Sequence, residues 1–327
     1  MRVLVTGATG FLGGALCRFL RDQGFVVVAT GRSLRCCAKL AENGFEVHPI
    51  DLAGHVHPTM FGQLDAIVHA AALSAPFGPL KAFLSANVDA TRNIVAVAEH
   101  LNVVRFVNIS SPSIYFALQD QNDVKETNPL PVPFNHYART KAEAERIALC
   151  SREIGTISLR PRGIYGTGDT TLLPRLLKSA QSHPLPLFRG GRGKIDLTHI
   201  SDVCRAILAA LNAPQKVTGQ VFNISGGEVL PTKQIIDMAC ARARIQPRWR
   251  SFPIGPAIAT AKALEHLHTL WPGSKGEPRV TPYALALLAF EQSLNIDKAS
   301  RLLNWHPQIR FREGLEEAFG AENRSFV

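Results

Sequence analysis

Short aliphatic runs alternate with amphipathic stretches along the first two thirds of the chain. Met1-Arg2-Val3-Leu4-Val5-Thr6 is β-branched and aliphatic, too short for a helix, and stopped by glycine. It reads as a strand buried on both faces. Phe11, Leu12, Ala15, Leu16, Phe19 and Leu20 then recur at helical spacing until Gly24, and Phe25–Thr30 is a second strand. The alternation continues with strands over Phe45–Ile50, Ala66–Ala72 and Val104–Ile109 and an amphipathic helix over Leu80–His100. A segment rich in Ala, Glu, Lys and Arg over Tyr137–Cys150 is helical by propensity. Strands that alternate with helices predict an α/β fold, a doubly wound parallel sheet.

The turn between the first strand and helix carries Gly7, Gly10 and Gly13 in G-x-x-G-x-x-G spacing. Such glycines let backbone N–H groups approach a pyrophosphate at the positive end of a helix. Read without a ligand, the same residues make a tight βα turn. An NAD-binding fold places a carboxylate after the second strand to hold the ribose hydroxyls. Here that place reads Thr30-Gly31-Arg32-Ser33, with Arg35 nearby and no acid. Arg32 is suited to a 2′-phosphate and Ser33 to a hydrogen bond with it, so NADP(H) is favoured over NAD(H). Arg32 also reads as a solvated strand-end charge, and Ser33 as the cap of a helix starting near Leu34.

Tyr137 and Lys141 lie four residues apart and so face the same way on their helix. An ammonium beside a phenol favours the phenolate, and a tyrosine tuned in that way exchanges a proton with a carbonyl or alcohol oxygen. The fifth strand feeds Ser110-Ser111, and Ser111 would hold the same oxygen. A lone Y-x-x-x-K pair is ordinarily a solvated helix face. The glycine turn and the serine strand end before it give this one its meaning.

Taken together, these motifs resemble the extended short-chain dehydrogenase/reductases. The shared features are Thr6-Gly7-Ala8-Thr9-Gly10-Phe11-Leu12-Gly13, His69-Ala70-Ala71-Ala72, Asn87-Val88 with Thr91, Ser110-Ser111, Tyr137-x-x-x-Lys141 and Leu159-Arg160-Pro161-Arg162-Gly163-Ile164-Tyr165-Gly166, in that order. The resemblance covers essentially the whole chain. It implies Ser111, Tyr137 and Lys141 as a catalytic triad and a homodimer through the helices near Leu80–His100 and Tyr137–Cys150. Toward the cofactor it implies Thr6, Gly7, Thr9, Gly10, Phe11, Leu12 and Gly13, then Asp51 and Leu52 near the adenine, Ala70, Ala71, Ala72 and Asn87 along it, and Ile109, Pro161, Gly163 and Ile164. Toward the substrate it implies Ser74, Ser111, Ser113, Arg162 and Arg192. Asp51 also reads as a helix cap, and Asn87 as a polar residue facing the core.

The departures narrow the substrate. Sugar-nucleotide 4,6-dehydratases carry an Asp-Glu pair after the catalytic hydroxyl, where this chain has Pro112-Ser113. Water elimination would lack its acid and base. Nucleotide-sugar epimerases place an Asn where this chain has Gly163, so a diphosphate anchor is missing. The C-terminal part, with apolar stretches over Ile254–Leu270 and Pro278–Phe290, is similar to the 3β-hydroxysteroid dehydrogenase-like branch. That likeness implies a large apolar or amphipathic alcohol or ketone, of sterol or long-chain β-keto acid type. The same stretches also suit the core of a small lobe. An epimerase and a non-catalytic dinucleotide-binding protein remain as rival readings, the second opposed by the intact Ser111, Tyr137 and Lys141.

Size and charge alter this picture little. The 327 residues suit a Rossmann domain (1–165 plus 196–225) and a smaller C-terminal α/β substrate lobe (166–195 plus 226–327). The net charge of +10 is spread without a basic run, so no nucleic-acid partner is expected. The densest basic stretch, Leu187–Lys194, reads as a cleft-lining loop or an exposed hairpin tip. Six cysteines without C-x-x-C spacing, with Cys17 and Cys204 on apolar helix faces, suit a reducing compartment. With a strand opening at Arg2 no leader is expected, and the cytoplasm is the expected location. No apolar run reaches the roughly 18 residues that span a bilayer. His55-x-His57 and His266-x-His268 lack a third ligand, so no metal is expected.

Overall fold

The structure is a computed structural model that describes residues 1–151, 153–270, 278 and 280–320. The stretch 271–277 and residues 321–327 of the expected lobe lie outside the described residues. Seven parallel strands form the main sheet: β1 (Arg2–Thr6), β2 (Val26–Gly31), β3 (Glu46–Pro49), β4 (Ala66–His69), β5 (Arg105–Ile109), β6 (Gly155–Pro161) and β7 (Gln220–Ile224). Their spatial order is β7-β6-β5-β4-β1-β2-β3, every neighbouring pair parallel. The order reverses between β1 and β4, and ligands of such sheets bind outside the strand ends at that switch point.

Alternation along β1 shows why the sheet is buried on both faces. Val3 and Val5 enter a core with Leu16, Cys17, Cys204 and Ile207, while Leu4 enters another with Ile67, Ile94 and Phe106. Period-two side chains therefore serve two helical layers at once. Cys17 and Cys204 are buried thiols, and the loss of water pushes each up to about 12.

Strand β4 ends at His69, three residues before the expected Ala72, because Ala70 and Ala71 turn to pass beneath Gly7. The expected helix over Leu80–His100 forms but is not uniform. Leu84–Asp89 is a π-helical segment between Leu80–Phe83 and Ala90–His100, and it carries Asn87.

A second sheet runs Val229–Pro231, Lys194–Asp196, Glu291–Leu294, Gln121–Val124. Helices Leu172–Ser182, Thr232–Arg242 and Phe311–Ala318 pack around the buried Tyr165 beside it. Two segments cross the expected lobe boundaries. Gln121–Val124 pairs with Glu291–Leu294 and so belongs to the lobe's sheet. The helix Asp297–Leu303 returns to the main sheet, because Ala299, Leu303 and Trp305 bury their apolar surface there. Among the described residues, no helix is long and apolar enough to cross a membrane. Nor is any group of three or more His, Cys, Asp or Glu placed to hold a metal ion.

A buried polar chain joins β1, β4 and the helix behind them. The Thr6 hydroxyl accepts from the N–H groups of Ala70 and Ala71, both at 3.1 Å, and lies 2.8 Å from His69 Nδ1. His69 Nε2 lies 3.0 Å from the Thr91 hydroxyl, which donates to the Asn87 carbonyl at 2.6 Å. This pattern is satisfied by a neutral His69 that accepts at Nδ1 and donates from Nε2. Burial, with Lys141 nearby, holds its pKa at about 3. The neutral form is thus favoured on folding, and the stability it carries is complete above the unfolded value of about 6.5 and lost as pH falls toward 3. His69 is expected to remove about 1 kcal/mol of stability by about pH 5.5. Denaturant unfolding of wild type and His69→Gln across pH should show the slope flattened in the variant.

Candidate active site

The glycine turn at the switch point fits a dinucleotide phosphate. Gly7 adopts φ +68°, and a Cβ there would lie 2.8 Å from Ala71 N and Cα. A Cβ on Gly13 would lie 2.2 Å from Gly7 O. Strand, turn and helix therefore touch backbone to backbone. Gly10 caps the helix Phe11–Asp22 with no side-chain hydrogen bond, and the first turn has no acidic residue. The opening amides of that helix have no intrahelical partner and face the positive end of its dipole. Thr9 packs on the end of β2, where a Cβ on Gly31 would meet its Cγ2 at 2.5 Å.

The second strand end matches the sequence reading in part. Arg32 is exposed and makes no hydrogen bond or ion pair among the described residues. Ser33 caps the helix Leu34–Glu42, accepting from Cys36 N at 3.3 Å. Asp51 is exposed and its Oδ1 accepts from Ala53 N at 3.1 Å, closing a local turn, while Leu52 is buried in the core beside it.

Ser111 and the helix His136–Cys150 meet at the carboxyl end of β5. Ser111 is the N-cap of the short turn Pro112–Tyr115 and its Oγ accepts from Ser113 N at 3.2 Å. Lys141 is 3% exposed and donates from Nζ to the Ile109 carbonyl, the last residue of β5, at 2.6 Å. Burial lowers its pKa to about 8, opposed by the Glu145 carboxylate one turn on. Tyr137, one turn earlier, is half-buried beside Phe83 with ring centroids 6.5 Å apart, and its hydroxyl makes no hydrogen bond among the described residues.

Asn87 ties these parts together. Its Oδ1 accepts from Leu73 N at 2.7 Å, and its Nδ2 donates to Leu73 O at 3.3 Å and to the Thr140 hydroxyl at 3.0 Å. Asn87 is 1% exposed, so its amide is spent on the loop after β4 and on the helix of Tyr137 and Lys141. It acts as a clamp between the two, which is the core-facing alternative.

The far wall comes from β6 and the lobe. Arg162 is 7% exposed, donates from Nη1 to Gln292 Oε1 at 2.7 Å, and lies 3.4 Å by its Nε from Asp196 Oδ1. The Tyr283 ring meets Phe116 at 4.8 Å and Phe134 at 6.2 Å between centroids. Ser113 is buried with its hydroxyl unpartnered, and Ser74 and Arg192 are exposed. Within the basic stretch, Arg189 pairs with Asp120 at 2.6 Å instead of facing the cleft. Gly163 sits at φ +43°, and a Cβ there would lie 2.4 Å from Leu197 Cδ2. An Asn at this position would have to displace that side chain. Pro161 ends β6 and pairs in register with Ile224, and Ile164 pairs with Thr198 just beyond.

Sequence reasoning missed Gln292, Tyr283 and the buried group behind Lys141. There Arg160 pairs with Glu145 and with the Tyr115 hydroxyl, and Tyr115 donates to Asn223 Oδ1 at 3.0 Å. Glu145 was legible four residues after Lys141, on the same helix face. Gln292 and Tyr283 lie more than 100 residues downstream and carry no local motif.

The family described as NAD dependent epimerase/dehydratase matches residues 3–225. The chain is 32% identical to the uncharacterized protein YbjS of Escherichia coli strain K12, over 97% of this chain and 96% of that one. It is 31% identical to a 2-alkyl-3-oxoalkanoate reductase of Stenotrophomonas maltophilia, over 96% of this chain and 97% of that one. A 3-beta-hydroxysteroid dehydrogenase of Mycolicibacterium neoaurum is 28% identical, over 97% and 90% respectively. The crystal structure of UDP-glucuronic acid 4-epimerase from Bacillus cereus, in complex with NAD, superposes with a TM-score of 0.77 at 23% identity and 100% coverage of both chains, a likeness of fold.

The Asn87 clamp makes a testable demand. Asn87→Ala leaves Leu73 N–H and the Thr140 hydroxyl without their partner, at a cost of about 1–3 kcal/mol. Urea unfolding should show this loss, and nicotinamide cofactor titration should show weakened binding as the loop after β4 loosens.

Proposed function

The chain belongs to the NAD dependent epimerase/dehydratase family, and we propose that it interconverts a secondary alcohol and a ketone on a largely apolar substrate, sterol-like or a long-chain β-keto or β-hydroxy acid. What supports this reading is that Lys141, on the helix that carries Tyr137, is hydrogen-bonded to the last residue of β5, two residues before Ser111, on the strand next but one to the β1 that ends in the glycine turn. The relatives named as an oxoalkanoate reductase and a hydroxysteroid dehydrogenase support the substrate type. Gly163 against Leu197, and Pro112-Ser113 after the catalytic serine, speak against a sugar nucleotide.

When bound, the nicotinamide gives or takes the hydride at the carbon that bears the reacting oxygen. The chain supplies the rest. Tyr137 delivers a proton to that oxygen during reduction or removes it during oxidation. Ser111 donates a hydrogen bond that orients the oxygen and stabilises charge on it. Lys141, held against Ile109, keeps positive charge on the helix face of the phenol and would hold the cofactor ribose. Gly7, Gly10 and Gly13 with the amides of Phe11 and Leu12 hold the pyrophosphate. NADP(H) is the preferred cofactor, because β2 ends without an acid and Arg32 stands free there for a 2′-phosphate. A homodimer through the helices at 80–100 and 136–150 belongs to the same reading.

Tyr137→Phe should lower kcat by about 10²–10⁴-fold while cofactor binding is retained. Reduced-nicotinamide absorbance with a panel of hydroxy acids and sterols measures the first, and cofactor fluorescence the second. Full activity in the variant would refute the mechanism. Arg32→Ala should raise the KM for NADP(H) about tenfold or more and leave that for NAD(H) nearly unchanged.

A further inference from the structure

The far wall of the cleft holds more hydrogen-bond donors than the protein satisfies. Gln292 is 3% exposed and its Oε1 is used by Arg162, yet its Nε2 has no partner. Arg162 spends Nη1 on Gln292 and meets Asp196 through Nε only at 3.4 Å, while its Nη2 makes no hydrogen bond. The Tyr283 hydroxyl makes none either. Tyr283 packs edge-on against Phe116, the residue that ends the short turn capped by Ser111, which sets this wall beside the serine. The residue is half-buried, and burial pushes its phenol up to about 12, so it stays a donor at neutral pH.

Asp196 faces the Arg162 guanidinium through Oδ1, which makes no hydrogen bond of its own. Its Oδ2 is taken by the Ser225 hydroxyl at 2.5 Å and by Leu294 N at 2.9 Å. Its charge holds the guanidinium in place. A buried amide, a guanidinium and a phenol that all donate and share no acceptor are the complement of an oxygen-rich anion. Around them, Phe116 and Phe134 supply apolar surface for a chain.

We infer that Arg162, Gln292 and Tyr283 form a carboxylate-binding subsite, so that the substrate is a β-keto or β-hydroxy acid and not a neutral sterol. This rests on the alcohol–ketone reading above and selects within it. A carboxylate held here would leave the β-oxygen to Tyr137 and Ser111, and the alkyl part to the aromatic surface.

The experiment compares oxidation of 3-hydroxydecanoate with that of its methyl ester by the full-length enzyme and oxidised cofactor. The acid should exceed the ester in kcat/KM by about tenfold to hundredfold. Arg162→Met and Gln292→Leu should erase that preference by raising the KM for the acid more than that for the ester. A merely structural role would weaken acid and ester alike. Should Arg162→Met fail to fold, Gln292→Leu and Tyr283→Phe, which keeps the ring packing, carry the same test. Equal use of acid and ester, with turnover still dependent on Tyr137, would overturn the subsite and leave the alcohol–ketone reading standing. If neither is oxidised, that reading fails, and thermal shifts of Tyr137→Phe with cofactor then decide the subsite. A shift by the acid alone supports it, and equal shifts or none overturn it.

Discussion

The site depends on a backbone crossing. At the switch point the turn after β1 lies so close to the end of β4 that Gly7 has no room for a Cβ against Ala70 and Ala71. The Thr6 hydroxyl fastens the crossing by accepting both alanine amides, and the neutral His69 beneath it satisfies the remaining hydrogen. Two buried backbone donors are thereby paired without water, and leaving either unpaired would cost about 1–3 kcal/mol. The start of the first helix, the floor of the cleft and the loop after β4 all take their positions from this contact.

From that crossing a polar chain leads to the helix that carries Tyr137 and Lys141. His69 meets Thr91, Thr91 meets Asn87, and Asn87 joins Leu73 to Thr140, the neighbour of Lys141. Lys141 closes onto β5 through Ile109. One turn on, along the same helix face, Glu145 is held by Arg160 and by the Ser158 hydroxyl at 3.1 Å. Buried ion pairs of this kind contribute little net stability because desolvation opposes their attraction. Their effect here is positional: the helix that carries Tyr137 is pinned to β5 through Lys141 and to β6 through Glu145.

The lobe adds the component that a Rossmann sheet lacks. Its strand Glu291–Leu294 pairs with Gln121–Val124, a segment from the first half of the chain, so the two halves are sewn together beside the cleft. Gln292 on that strand reaches Arg162 just beyond β6, and Tyr283 stacks with Phe116 and Phe134. Arg162, Gln292, Tyr283 and their aromatic neighbours thus meet here from stretches far apart in sequence.

Local patterns were enough to read the parallel sheet, the glycine turn and the Tyr137–Lys141 helix, because each rests on interactions within a few residues. Val3, Leu4 and Val5 are apolar in succession and can only be a strand covered on both sides. Gly7 and Gly13 announce close backbone approach, and a phenol four residues from an ammonium shares its helix face. The end of β4 at His69, the inward turn of Asn87, the return of Asp297–Trp305 to the main sheet and the pairing of Arg162 with Gln292 were set by tertiary structure alone. Each depends on which distant backbone or side chain fills the adjacent space, and no sequence spacing encodes that distance.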